Sequence, residues 1–167
     1  MTLNKALLFF FLFIAFAGSA QVIYAQSATL FFSPSSVSLQ QGEVATIDVM
    51  VNTGGSNVNA VAAYFAYPEH LFRVLGVDTA ESVLTLFAEQ EAENGVVKIS
   101  GGKPTPGFSG IQKLAAVSLV GIGQGANTTL SFTQDSAVLR DSDNQNSLNL
   151  ASSGQAVLTV SSPSVSP

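Results

Sequence analysis

The chain has 167 residues, a formal net charge of −5, only 10% charged residues and no cysteine. That length suits one domain, and the missing cysteines exclude a disulfide framework and any cysteine-based metal site. The cations beyond the N-terminal stretch, Arg73, Lys98, Lys103, Lys113 and Arg140, are scattered singly, which excludes a nucleic-acid footprint.

Residues 1–25 read as a secretory signal peptide. Lys5 supplies the positive start, and residues 6–17 form an apolar core centred on LLFFFLFIAF. Small residues follow at Gly18, Ser19 and Ala20, and again at Ala25. Cleavage after Ala20 or Ala25 is expected, leaving a protein that is secreted, either extracellular or held at the cell surface. The alternative is an uncleaved anchor, but the apolar run is short for a span of about 20 residues. The expected organisation is a signal over 1–25, a β-rich module over 26–160 and a Ser/Pro tail over 161–167. After cleavage no membrane span is expected.

Residues 28–33, ATLFFS, make a first strand that Pro34 and Ser35 break. Val37 and Leu39 sit two apart, on one face, before the Gln41-Gly42 turn. Residues 44–52 alternate: Ala45, Ile47, Val49 and Val51 inward, Thr46, Asp48 and Asn52 outward, with Val44 and Met50 as apolar exceptions outside. The longest strand-like run is 57–71, NVNAVAAYFAYPEHL. Its odd positions Val61, Ala63, Phe65 and Tyr67 share one face; its even positions Val58, Ala60, Ala62, Tyr64 and Ala66 share the other. Both faces are largely apolar. Either the strand is covered on both sides or its outer face is a docking surface. Pro68 ends it, since proline donates no ladder hydrogen bond.

In 72–78, Phe72 and Val74 have the opposite parity to Leu75 and Val77, which a bulge near Gly76 would reconcile. Residues 82–93 fit a helix at Val83, Leu86, Phe87 and Gln90, but Asn94-Gly95 followed by VVKIS is a strong hairpin signal, so a hairpin is preferred. Residues 101–110, GGKPTPGFSG, form a turn-rich loop. A strand over 113–122 follows, then one over 128–133 with Leu130 and Phe132 inward, a short one at 137–139, a polar loop over 141–146 and a closing strand over 156–160. About nine short strands at this spacing predict an all-β fold, a β-sandwich of the jelly-roll type.

Catalytic chemistry finds little footing. His70 stands alone in the turn after Pro68, no serine lies in a Gly-x-Ser-x-Gly elbow, and Glu89, Glu91 and Glu93 alternate onto one solvated strand face. The chain is therefore expected not to be an enzyme. Asp141, Asp143, Asn144 and Asn146 gather oxygen ligands as weak Ca2+ sites do, but without the glycine and distant glutamate of an EF-hand loop. Asn127-Thr128-Thr129 matches the glycosylation acceptor pattern.

A resemblance rests on QGEVATIDVMVN, then NVNAVAAYFAYPEHLFRVLGV, then ISGGKPTPGFSG, KLAAVSLVGI and NTTLSFT, with a corner at Tyr67, Pro68 and Leu71. In these features the chain resembles the cohesin domain family, whose jelly-roll sandwiches are related to carbohydrate-binding modules. The resemblance implies a non-catalytic module that mediates protein–protein attachment to a dockerin-type or cell-surface protein, with a link to polysaccharide degradation. It places the partner-binding face on Ala60, Ala62, Tyr64 and Ala66. Cohesins carry an aspartate between the corner tyrosine and proline, which is missing here, and Ala60 and Ala62 stand where an asparagine and an aspartate commonly contact dockerin. The alternatives are a carbohydrate-binding module with polysaccharide as partner, which a planar strip of aromatics would favour, and a structural unit of a surface layer. The chain has no tryptophan and three tyrosines, of which Tyr64 and Tyr67 lie on opposite strand faces.

Overall fold

The computed structural model describes residues 27–123 and 125–162. The expected signal peptide, and residues 163–167 of the expected tail, lie outside the described residues. The described residues form an all-β sandwich, and among them the expected short strands resolve into eleven. β1 (Thr29–Ser33) and β2 (Ser36–Gln40) flank the Pro34 break. β3 (Val44–Asn52), β4 (Val58–Ala66) and β5 (Phe72–Asp78) follow. β6 (Leu86–Glu93) and β7 (Val96–Gly102) form the hairpin, so residues 86–93 are not helical. β8 (Ile111–Gly121), β9 (Ala126–Leu130), β10 (Ala137–Arg140) and β11 (Ala156–Ser161) complete the order, with one 3-10 turn at Leu150–Ser152.

The strands make three sheets, ordered β1-β3-β8-β5, β10-β4-β7-β6 and β2-β11-β9. The β2–β11 pair is parallel; the other ladders are antiparallel. Alternation in β3 holds as expected, with Ile47, Val49 and Val51 buried and Val44 exposed. The register of β5 against β8 slips between Val74 and Gly76. That bulge turns Leu75 outward and lets both Phe72 and Val77 reach the core. In the β6–β7 turn, Asn94 and Gly95 have φ of 51° and 74°. Two successive positive φ values match the right-handed twist of the flanking strands, which is why Asn-Gly is favoured there.

The inner faces meet around three phenylalanines. Phe32 of β1 stacks on Phe132 with ring centroids 4.4 Å apart, and Phe65 of β4 packs edge-on against Phe32 at 5.0 Å and Phe132 at 6.1 Å. Phe65 is 2% exposed. The odd positions Val61, Ala63 and Phe65 of β4 are all buried, as expected.

Two details of β4 depart from the sequence reading. The strand ends at Ala66; Tyr67 lies beyond it, half-buried against the core, with its N–H donating to the Gly95 carbonyl at 2.8 Å. Val58 is not on the outer face with the other even positions. Leu139 of β10 pairs with Ala60 while Arg140 pairs with Val58, so Asn59 is an extra residue in the strand. The bulge reverses the parity and buries Val58.

Candidate partner-binding face

The outer face of the β10-β4-β7-β6 sheet carries the residues singled out from the sequence. Cross-strand pairing sets its rows. Leu139, Ala60, Gly102 and Leu86 form the first, and Ala137, Ala62, Ser100 and Glu89 the second. Tyr64, Lys98 and Glu91 form the third, and Ala66, Val96 and Glu93 the fourth. Residues opposite one another on neighbouring strands share a face, so one end of this surface is aliphatic and the other is charged.

The aliphatic end is a shallow groove of about 420 Å3. Its floor is Ala60, Ala62 and the backbone of Gly101 and Gly102; Leu86 and Ala88 wall one side, Ala137 and Leu139 the other. Leu86 is 62% exposed, the most of any large hydrophobic residue described. Glycine at 101 follows from packing: a Cβ there would stand 2.2 Å from the Leu86 carbonyl oxygen. The loop after β7 does not close over Ala62. It runs past the end of β4, where Val58 and Phe108 exchange backbone hydrogen bonds of 2.8 and 2.9 Å and the Lys103 N–H donates to the Asn59 carbonyl at 2.8 Å. It therefore bounds the groove at its Ala60 end, beside Lys103, Pro104 and Thr105. Of the two readings of the 57–71 run, the uncovered outer face is the one the fold adopts.

At the charged end the Tyr64 hydroxyl donates to the Glu89 carboxylate, which also accepts from Ser100 Oγ at 2.8 Å. Lys98 lies 3.7 Å from Glu89 and 3.6 Å from Glu91. The Tyr64 and Ser100 hydroxyls hold the Glu89 carboxyl below its ordinary pKa, with Lys98 adding to the effect. Burial raises the Tyr64 hydroxyl, and its bond to Glu89 raises it further. Tyr64 is thus held in place by its hydroxyl, half-buried on this face. The three glutamates do lie on one face as their alternation suggests, and two of them are engaged with tyrosine, serine and lysine.

His70 is exposed in the turn after Pro68. The polar loop binds inward. Arg140 clasps Asp143 through two hydrogen bonds of 3.1 and 2.7 Å, which hold that carboxyl below its usual range, and the Gln145 N–H adds to the effect. Asp141 accepts from Thr105 Oγ1, Asn144 Oδ1 from Asn59 Nδ2, and Asn146 Oδ1 from the Val138 and Leu148 N–H groups. Among the described residues no three acidic or histidine side chains gather as a metal cluster. Any calcium taken up here competes with Arg140 for Asp143. The melting temperature at millimolar calcium is therefore expected to rise more in Arg140→Ala than in the parent chain; an equal response in both would break that link.

The groove itself was not legible in the sequence. Leu86, Ala88, Ala137 and Leu139 come beside Ala60 only through pairing across strands far apart in the chain. Alternation placed Ala60 and Ala62 outward, and nothing local marks their neighbours.

No family model matches the chain and no curated protein matches it. Solved structures do. The solution structure of CaCohA2 from Clostridium acetobutylicum is 16% identical with a TM-score of 0.66, covering 81% of this chain and 92% of that one. The cohesin module of a family 33 glycoside hydrolase from Clostridium perfringens is 15% identical with a TM-score of 0.67, covering 83% of this chain and 99% of that one. The Coh-OlpC–Doc435 structure, a type I cohesin–dockerin complex from Clostridium thermocellum, gives 10% identity and a TM-score of 0.67 over 82% of this chain and 95% of that one. The eleven-stranded sandwich described above therefore has the cohesin fold.

Proposed function

We propose that this chain is a secreted, non-catalytic module that docks a protein partner of the dockerin kind on the outer face of the β10-β4-β7-β6 sheet. The observation that carries the reading is the open aliphatic groove on a cohesin fold. Ala60 and Ala62 offer no side chain beyond Cβ, so a partner backbone can approach closely, while Tyr64 contributes an aromatic ring held through its hydroxyl by Glu89. Among the similar structures one is a cohesin bound to its dockerin, and another comes from a glycoside hydrolase. That company supports attachment in the service of polysaccharide breakdown.

A carbohydrate-binding role lacks its usual platform. Every large hydrophobic residue described as exposed is aliphatic: Val44, Leu75, Leu86, Ile111, Ile122 and Val157. Stacking on sugar rings needs flat aromatic faces.

Calorimetric titration of the module with purified dockerin modules, beside an array of plant and bacterial polysaccharides, tests the proposal. A dissociation constant in the micromolar range or tighter for a dockerin, with no retained glycan, is the expected result; the reverse pattern overturns it. Secretion has its own check. N-terminal sequencing of exported material is expected to read from Gln21 or Gln26, and a membrane-bound product still starting at Met1 would sink that part.

A further inference from the structure

We propose that the docking face reads its partner in one orientation, through an apolar side chain seated between Leu86 and Leu139 and a cationic side chain set against Glu91 and Glu93. This rests on the docking reading above and adds the partner's chemistry and direction.

The argument starts from the charges along the sheet. Glu89 stands level with the Ala62 end of the groove and Glu91 and Glu93 beyond it, three carboxylates against one ammonium, Lys98. That end keeps an excess of negative charge. At the opposite end Arg140 is matched by Asp143, while Lys103 and Asp141 are of opposite sign, so the charges there balance. The face is therefore polar along its strands. A partner with basic residues on one side of its apolar anchor meets attraction in one direction and finds no such excess in the other.

The spacing follows from the rows. The anchor sits in the Ala60 row, between Leu86 and Leu139; Glu91 lies two rows beyond it, and Glu93 three. Successive rows are two residues apart along a strand, about 7 Å, so the carboxylates stand roughly 14 and 20 Å from the anchor. A helical partner at about 1.5 Å per residue would place its lysine or arginine roughly nine to fourteen positions from the anchor. An extended partner would place it about four to six positions away. The groove, at about 420 Å3, has room for a leucine, methionine or aromatic side chain.

The experiment is selection of phage-displayed random peptides, each about 20 residues long so that a helix can span the anchor row and the Glu93 row, on the immobilised, folded chain. The enriched peptides are then resynthesised and titrated by calorimetry at low and at high salt. Four proteins are compared: the parent, Ala60→Leu, which fills the groove, the pair Glu91→Lys with Glu93→Lys, and Ala62→Arg, which blocks the face. Thermal melts confirm that each variant is folded. The expected peptides carry one bulky apolar residue with lysine or arginine on one side of it, at one of those spacings. Ala60→Leu should weaken binding at least tenfold at every salt concentration. The double reversal should weaken it at least tenfold at low salt and far less at high salt, because exposed charges are screened. Peptides with basic residues on neither side or on both sides overturn the proposal. So does binding indifferent to the double reversal, or a library that yields no peptide sensitive to these variants. If such binding is still lost in Ala62→Arg, docking on this face stands and only its polarity fails.

Discussion

Truncating Phe65 to alanine is expected to cost about 3–5 kcal/mol of folding stability, the usual range for an aromatic residue removed from a core. Phe65 is the only one of the three central rings that meets both of the others edge-on, at 5.0 and 6.1 Å. Its loss leaves a cavity between β4 and the Phe32–Phe132 stack, whose rings already lie parallel and 4.4 Å apart. Those two rings cannot collapse into the space without giving up their own contact, so little of the cost is recovered. For a domain of this size the loss corresponds to a fall of roughly 10–20 °C in melting temperature. Urea unfolding checks the result, and a loss under about 1 kcal/mol would mean that the phenylalanine cluster is not the centre of the core.

Ala62→Arg is expected to abolish partner binding while leaving the melting temperature within a degree or two of the parent. Ala62 lies in the middle of the groove floor, flanked across the strands by Ala137 and Ser100. Its Cβ points away from the buried side, which its neighbours Val61 and Ala63 occupy. An arginine there extends into water and fills the groove that the partner must enter. Surface substitutions of this kind change stability by no more than about 0.5 kcal/mol. If the face were covered, the same change would bury an unpaired charge and destabilise the fold by several kcal/mol. Calorimetry for binding and differential scanning for stability separate the two effects, and a large drop in melting temperature would remove this face as the interface.

The sequence told much about the sandwich and less about its surface. Where apolar and polar residues alternate strictly, as in β3, inside and outside could be read residue by residue. The β6–β7 hairpin was legible because Asn94-Gly95 names its own turn, and the Gly76 bulge because Arg73 and Leu75 could not both be satisfied without it. The Asn59 bulge left no such trace. Val58 and Ala60 are both apolar, so a parity reversal between them conflicts with nothing in the local pattern. The charged half of the outer face shows the same limit. Alternation put Glu89, Glu91 and Glu93 on one face, but the bond from Tyr64 to Glu89 joins residues 25 positions apart. Only the ladder through β7 brings them together.

The pairing of β11 with β2 has a consequence for how the chain acquires its structure. Val157 to Ser161 register against Ser36 to Gln40, and β11 lies between β2 and β9. A chain emerging from the ribosome has made almost all of its other strands before either neighbour finds its central partner. Pairing across more than a hundred residues carries a large loop-closure entropy and slows folding. Until β11 is made, β2 and β9 stand without the strand that lies between them, so the third sheet closes only when the last of the described strands arrives.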